Sequence, residues 1–132
     1  MASYLEGFEE PPVTFNTIIL SGAILNSSFE WEKHKGVSVG KVLNEIAPND
    51  QWVKFMPEKF LKKLLCIDPL MGKAGIEGYN QECNIVKQTT NRIFTHNNVI
   101  KRDVIQNKWI PFLNANRNSF RKEFMKKIKN EL

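Results

Sequence analysis

Cysteine and histidine are scarce in this chain, with two of each in 132 residues. Cys66 and Cys83 do not form a C-x-x-C pair. Neither His34 nor His96 sits in an H-E-x-x-H motif, so no zinc-ligand spacing is present. Two thiols make no disulfide framework, and a chain of this length buries enough surface to fold without one. The glycine-rich phosphate loops G-x-G-x-x-G and G-x-x-x-x-G-K-[ST] are missing. No apolar run exceeds four residues, far below the roughly 20 that span a bilayer. The first ten residues hold three glutamates and no lysine, the opposite of the basic start of a secretory signal. The sequon Asn26-Ser27-Ser28 is therefore expected to carry no sugar. These absences predict an intracellular domain without cofactor, metal or membrane partner.

What the chain does have is charge, unevenly placed. The net charge is +5. Residues 1–50 hold seven acids and three bases, whereas residues 51–132 hold seven acids and sixteen bases. An asymmetry of this kind points to a polyanion as partner. Apolar residues make up 42% of the chain, enough for a packed core.

The apolar spacing predicts a mainly α fold: a compact bundle of about five helices behind a short N-terminal β-hairpin. Residues 1–12 read as an acidic arm, and 13–132 as a single helical domain. Val13, Phe15, Thr17 and Ile19 alternate like a strand, and Ser21-Gly22 suits a hairpin turn. Val39, Val42, Leu43 and Ile46 fall at helical spacing, which predicts a helix over 37–47 with Ser38 as its N-cap. Further helices are expected over 57–67, 81–94 and 100–113. Pro111 should end or kink the last of these near Trp109. Asn114, Asn116 and Asn118 then predict a turn. A final helix should run from Ser119 to the chain end, with Phe120, Phe124 and Ile128 inside and Lys122, Lys126 and Lys129 outside.

No catalytic residue is assigned, and the chain is read as a binding module. Cys66 and His96 are the nearest pairing of nucleophile and base, and nothing in the sequence would lower that thiol's pKa. The expected site is the start of the last helix. Asparagine can bond adenine bidentately and arginine can do the same to guanine, so Asn114, Asn116, Arg117 and Asn118 are read as base contacts. Ser119 and the backbone N–H groups of the helix N-terminus would meet phosphate, followed by Lys122, Lys126 and Lys129. Lys73 is added from a glycine-rich loop. Lys59, Lys62 and Lys63 read as a solvated face, and Trp31, Trp52 and Trp109 as core anchors.

From about residue 37 the order of features resembles the BEN domain, a small helical DNA-binding family. The resemblance rests on four stretches. They are the expected helix around Val39 to Ile46, the run Lys59-Phe60-Leu61-Lys62-Lys63-Leu64-Leu65, the stretch Asp68-Pro69-Leu70-Met71-Gly72 through Gly78, and Arg102-Asp103-Val104-Ile105 before the closing basic helix. It implies binding of double-stranded DNA, transcriptional regulation and a nuclear location. Lys73-Ala74-Gly75-Ile76-Glu77-Gly78 followed by a helix also resembles the second half of a SAM domain. That would imply a protein-interaction or self-association module instead.

Overall fold

The computed structural model describes residues 1–9, 12–55, 68–95, 97–98 and 100–131. Beyond Ser119 it describes side chains at 122, 125, 126, 129 and 130. The expected helix over 57–67, with Lys59, Lys62 and Lys63, lies outside the described residues, as do Cys66 and His96. So do the side chains of Phe120, Phe124 and Ile128.

The fold is α/β, which overturns the mainly α bundle. Its centre is a parallel sheet of three strands in the order β1-β2-β3. These are β1 (Phe15–Ser21), β2 (Val39–Ile46) and β3 (Val86–Thr90). Helices are α1 (Ala2–Glu6), α2 (Gln51–Lys54), α3 (Ala74–Glu77), α4 (Arg102–Val104) and α5 (Ile110–Glu131). A 3₁₀ turn covers Trp31–His34, and a π turn, Ile105–Trp109, joins α4 to α5.

Alternation along β1 is the strand signal the sequence gives, but its partner is not a hairpin neighbour. β1 pairs in parallel with β2, Ile18 beside Val42 and Ser21 beside Glu45. The segment expected as a helix over 37–47 is therefore the central strand. Its residues Val42, Leu43, Asn44 and Glu45 are all within 1% of full burial, because layers cover both faces of the sheet. A strand buried on two sides loses the period of two, and its apolar residues can fall at helical spacing by chance. β-branched Val39 and Val42 suit the pleat. The expected helix over 81–94 likewise gives way to β3, whose Thr89-Thr90 favours a strand over a helix.

One face of the sheet carries the main core. Ile18 and Val42 meet Leu5 of α1, Phe29, Trp31, Ala74, Tyr79 and Ile85. Trp31 packs edge-on to both Phe29 and Tyr79, at 4.8 and 5.7 Å between ring centres. Each such aromatic pair adds about 0.5–1.5 kcal/mol beyond the area it buries. Trp31 anchors the core as expected, but Trp109 is half-buried and Trp52 is 68% exposed. Gly72 and Gly75 let the 70–75 segment lie backbone to backbone on residues 22–26. A Cβ at Gly75 would stand 2.4 Å from the Ala23 nitrogen.

The other face is crossed by α5. The last two expected helices are one continuous stretch from Arg102 to Glu131, with no turn at residues 114–118. Pro111 has no N–H to give its own turn, and the wider π turn just before it absorbs that loss without ending the helix. Among the described residues, no helix is long and apolar enough to cross a membrane.

Candidate functional site

Both ends of the strands hold polar residues, arranged differently. Near the carboxyl end, Ser21, Glu45 and Thr89 occupy one row across the sheet. Glu45 is fully buried. Its Oε2 accepts from Lys108 Nζ at 2.7 Å, and its Oε1 from Trp109 Nε1 at 3.3 Å. The π turn brings these two consecutive side chains to one carboxylate. The Ser21 and Thr89 hydroxyls are buried in the same row without a hydrogen-bond partner among the described residues. Asp50 is fully buried as well and caps α2 by accepting from the Trp52 and Val53 nitrogens.

At the amino end a cleft of about 570 Å³ opens between the strand starts and α5. Its floor is the start of β1 and the run Lys35 to Lys41, and Asn116 and Ser119 of α5 form a wall. Gly36 turns the chain at a φ of 71°. At Gly40 a Cβ would stand 2.3 Å from the Asn16 carbonyl oxygen, so only glycine lets the two strands close there. Lys41 Nζ donates to the Asn84 carbonyl at 3.0 Å, and among the described residues no carboxylate pairs with it. Lys35 donates to Glu32 at 2.8 Å. Glu32 also accepts from the Cys83 thiol at 2.8 Å. The thiol bond and Lys35 together hold the Glu32 carboxyl below its ordinary range, while burial and that carboxylate push the Cys83 thiol up. Among the described residues, no carboxylate lines the cleft.

Ser38 lies in this floor, 1% exposed, with its hydroxyl unpartnered. The expectation that Cys66 and His96 are the nearest pairing of nucleophile and base passed over it. Gly36-Val37-Ser38-Val39-Gly40 is a G-x-S-x-G, and Ser38 with Lys41 is an S-x-x-K. The surroundings are not those of a nucleophile elbow. A nucleophile elbow follows a strand and opens a helix, whereas Ser38 precedes a strand. His34 contacts Glu6 at 3.3 Å, but Ser38 Oγ bonds to neither His34 nor any other described group, so no base reaches it. A second S-x-x-K, Ser119 with Lys122, lies on α5, where Ser119 Oγ donates to the Asn116 carbonyl.

The expected site residues are only partly brought together. Asn114, Asn116, Arg117, Asn118 and Ser119 sit inside α5, not at a helix N-terminus, so the backbone N–H groups that were to meet phosphate are spent within the helix. At about 100° per residue, Asn114, Asn118, Ser119, Lys122, Lys126 and Lys129 share one side of α5. All six are exposed. Arg117, also exposed, falls on a different side. Asn116 turns toward the sheet and donates to the Phe112 carbonyl at 2.7 Å. Lys73 opens α3, whose Gly75 carbonyl accepts from Ala47 just past β2, at the opposite end of the sheet from Ser119. Among the described residues, no group of three His, Cys, Asp or Glu side chains could hold a metal ion.

Comparison with protein-family models, with curated proteins and with solved structures found no match. The helix expected around Val39 to Ile46, one of the four stretches on which the BEN resemblance rests, is a strand.

Proposed function

We propose that this chain is a double-stranded DNA-binding domain whose contact surface is the exposed side of α5. The observation that supports this reading is one line of exposed residues, Asn114, Asn118, Lys122, Lys126 and Lys129, on a 22-residue helix. Lys108 and Trp109 meet Glu45 near the strand ends, and Asn116 and Ser119 reach the strand starts. α5 therefore runs antiparallel to the strands, and its last turns project past the sheet. A helix held at one end and exposed along its other half can lie in a major groove. Docking is side-on: the two asparagines, one turn apart, read base edges, and the lysines meet phosphates. Regulation of transcription in the nucleus is the role that goes with this reading.

Titration with a blunt duplex bearing 5′-hydroxyl ends, at two salt concentrations, tests it. Three lysine–phosphate contacts give a slope of log K against log[salt] of roughly −3, from −0.9 per contact. Lys122→Ala, Lys126→Ala and Lys129→Ala together should abolish that slope. Asn118→Ala should cost about 1–3 kcal/mol on a selected site and flatten the preference at one base pair. Absence of binding at low salt would overturn the reading. It would favour a protein-interaction module, for which Phe55, Ile93 and Ile100 supply exposed apolar surface.

A further inference from the structure

We propose that the cleft at the strand starts is a binding site for a phosphate monoester of nucleotide size, with Lys35 and Lys41 as the residues that recognise the phosphate. This does not rest on duplex binding by α5, since neither lysine belongs to that helix. Three independent observations carry it. The first is charge: among the described residues two lysines and no carboxylate line the cleft, Lys41 has no described acidic partner, and Lys35 is held only by the exposed Glu32, at 2.8 Å, with which a phosphate would compete. An anion entering there meets positive potential in a concave, partly desolvated setting, where it acts more strongly than on open surface. The second is the unpartnered hydroxyl of Ser38, almost wholly buried in the cleft floor. A buried hydroxyl without a partner costs free energy, and an oxyanion that draws the floor open would satisfy it. The third is size with spare polar capacity. A cleft of about 570 Å³ lies within the range of small-molecule sites. Asn116 spends its amide N–H on Phe112, leaving its oxygen to accept from an amino or hydroxyl group, and the Asn84 side chain makes no hydrogen bond to a described residue. Lysines for a phosphate, with asparagine side chains in the same cleft for a base or sugar, are the chemistry of a nucleoside monophosphate site. The same chemistry is presented by the phosphorylated 5′ end of a nucleic-acid strand.

Calorimetric titration of the intact chain with adenosine 5′-monophosphate, adenosine and inorganic phosphate tests the site. Single-stranded oligonucleotides with and without a 5′-phosphate separate the two sources. The monophosphate should bind at least tenfold more tightly than adenosine. If the natural ligand is a strand end, the 5′-phosphorylated oligonucleotide should bind more tightly still; if it is a free nucleotide, the oligonucleotide should bind no better. Lys41→Gln and Lys35→Gln should each weaken monophosphate binding tenfold or more. Lys87→Gln, on β3 outside the cleft, should leave it unchanged. A thermal melt of each variant identifies any that fails to fold, and the remaining lysine variant then carries the test. Equal binding of adenosine and its monophosphate, or wild-type binding by folded Lys41→Gln and Lys35→Gln, overturns the proposal. The blunt 5′-hydroxyl duplex reads α5 alone, so failure of one reading is distinguishable from failure of the other.

Discussion

At the carboxyl end of the strands the charged groups are acids, fully buried and already occupied. Glu45 is held by Lys108 and Trp109, and Asp50 is spent on capping α2. At the amino end two lysines line an open cleft, one of them held by Glu32 at the rim, with glycine at two of the floor positions. Open parallel sheets usually bind ligands outside the carboxyl ends of their strands. Here that end is closed by the helix that crosses it, and the concave surface lies at the other. The arrangement separates stability from recognition. Glu45, which holds the fold, faces inward beneath the π turn, and Lys41, with no described acidic partner, lines the opposite rim.

The sharpest way to break the comparison is to open the closed end. Lys108→Ala leaves the Glu45 carboxylate buried with only the Trp109 N–H beside it. Removing one partner of a buried pair costs about 3–5 kcal/mol, and Lys108 keeps enough exposure to place this change at the lower figure. A thermal melt should fall by roughly 10 °C or more. Glu45→Gln, which keeps the shape and one of the two acceptor oxygens and leaves no buried charge, should fall less. If Lys108→Ala melts like wild type, the carboxyl end is not what holds α5 down.

At the open end, Gly40→Ala should cost about 1–3 kcal/mol, because its methyl group would overlap the Asn16 carbonyl and force β1 from β2. Denaturant unfolding measures this directly. A neutral result would mean that the strand starts give way and that the cleft floor is soft. Gly36→Ala provides the contrast, since nothing lies within 4 Å of its Cβ and only the positive φ resists the change.

The smallest effect concerns Cys83 at the same rim. Burial is the larger cause of its raised pKa, and the Glu32 carboxylate adds to it. Glu32→Gln should therefore speed alkylation at pH 8 by less than about tenfold, read in a Cys66→Ser background. An unchanged rate would assign the slow reaction to burial alone.

Parts of this arrangement were legible in the sequence, and their limits follow from physics. β1 was found by alternation, yet the residue it buries, Ile18, lies opposite the alternating set, and its other positions are half-buried. β2 shows no alternation, because its middle residues are buried on both sides, and periodicity then carries no information. The exposed lysines of α5 were predictable from spacing alone. The start of that helix was not. Pro111 and three asparagines read as punctuation, yet a π turn absorbs the proline and Asn116 returns its amide to Phe112 four residues back. The cleft was hidden for a different reason. Ser38 was taken as a helix cap, and once that helix was assumed, Gly36 and Gly40 lost their meaning as marks of a close strand approach. Glu45, beside Asn44 between Val42-Leu43 and Ile46-Ala47, was the one signal of the closed end that the sequence offered.

The Glu45–Lys108 pair joins positions 63 residues apart in the chain. A ribosome adding about 5–20 residues per second separates the appearance of these two side chains by some seconds. Throughout that interval the central strand carries an acid with no counter-ion, and burying it would be costly. No strand of this sheet can pair with its neighbour through a tight hairpin either, since all pairings are parallel and wait on a crossover. The nascent chain is therefore expected to keep its sheet unsealed until the helix follows, and to lock in a late step. Truncation before Lys108 should leave a species open to proteolysis at β2, and extension through Trp109 should close it.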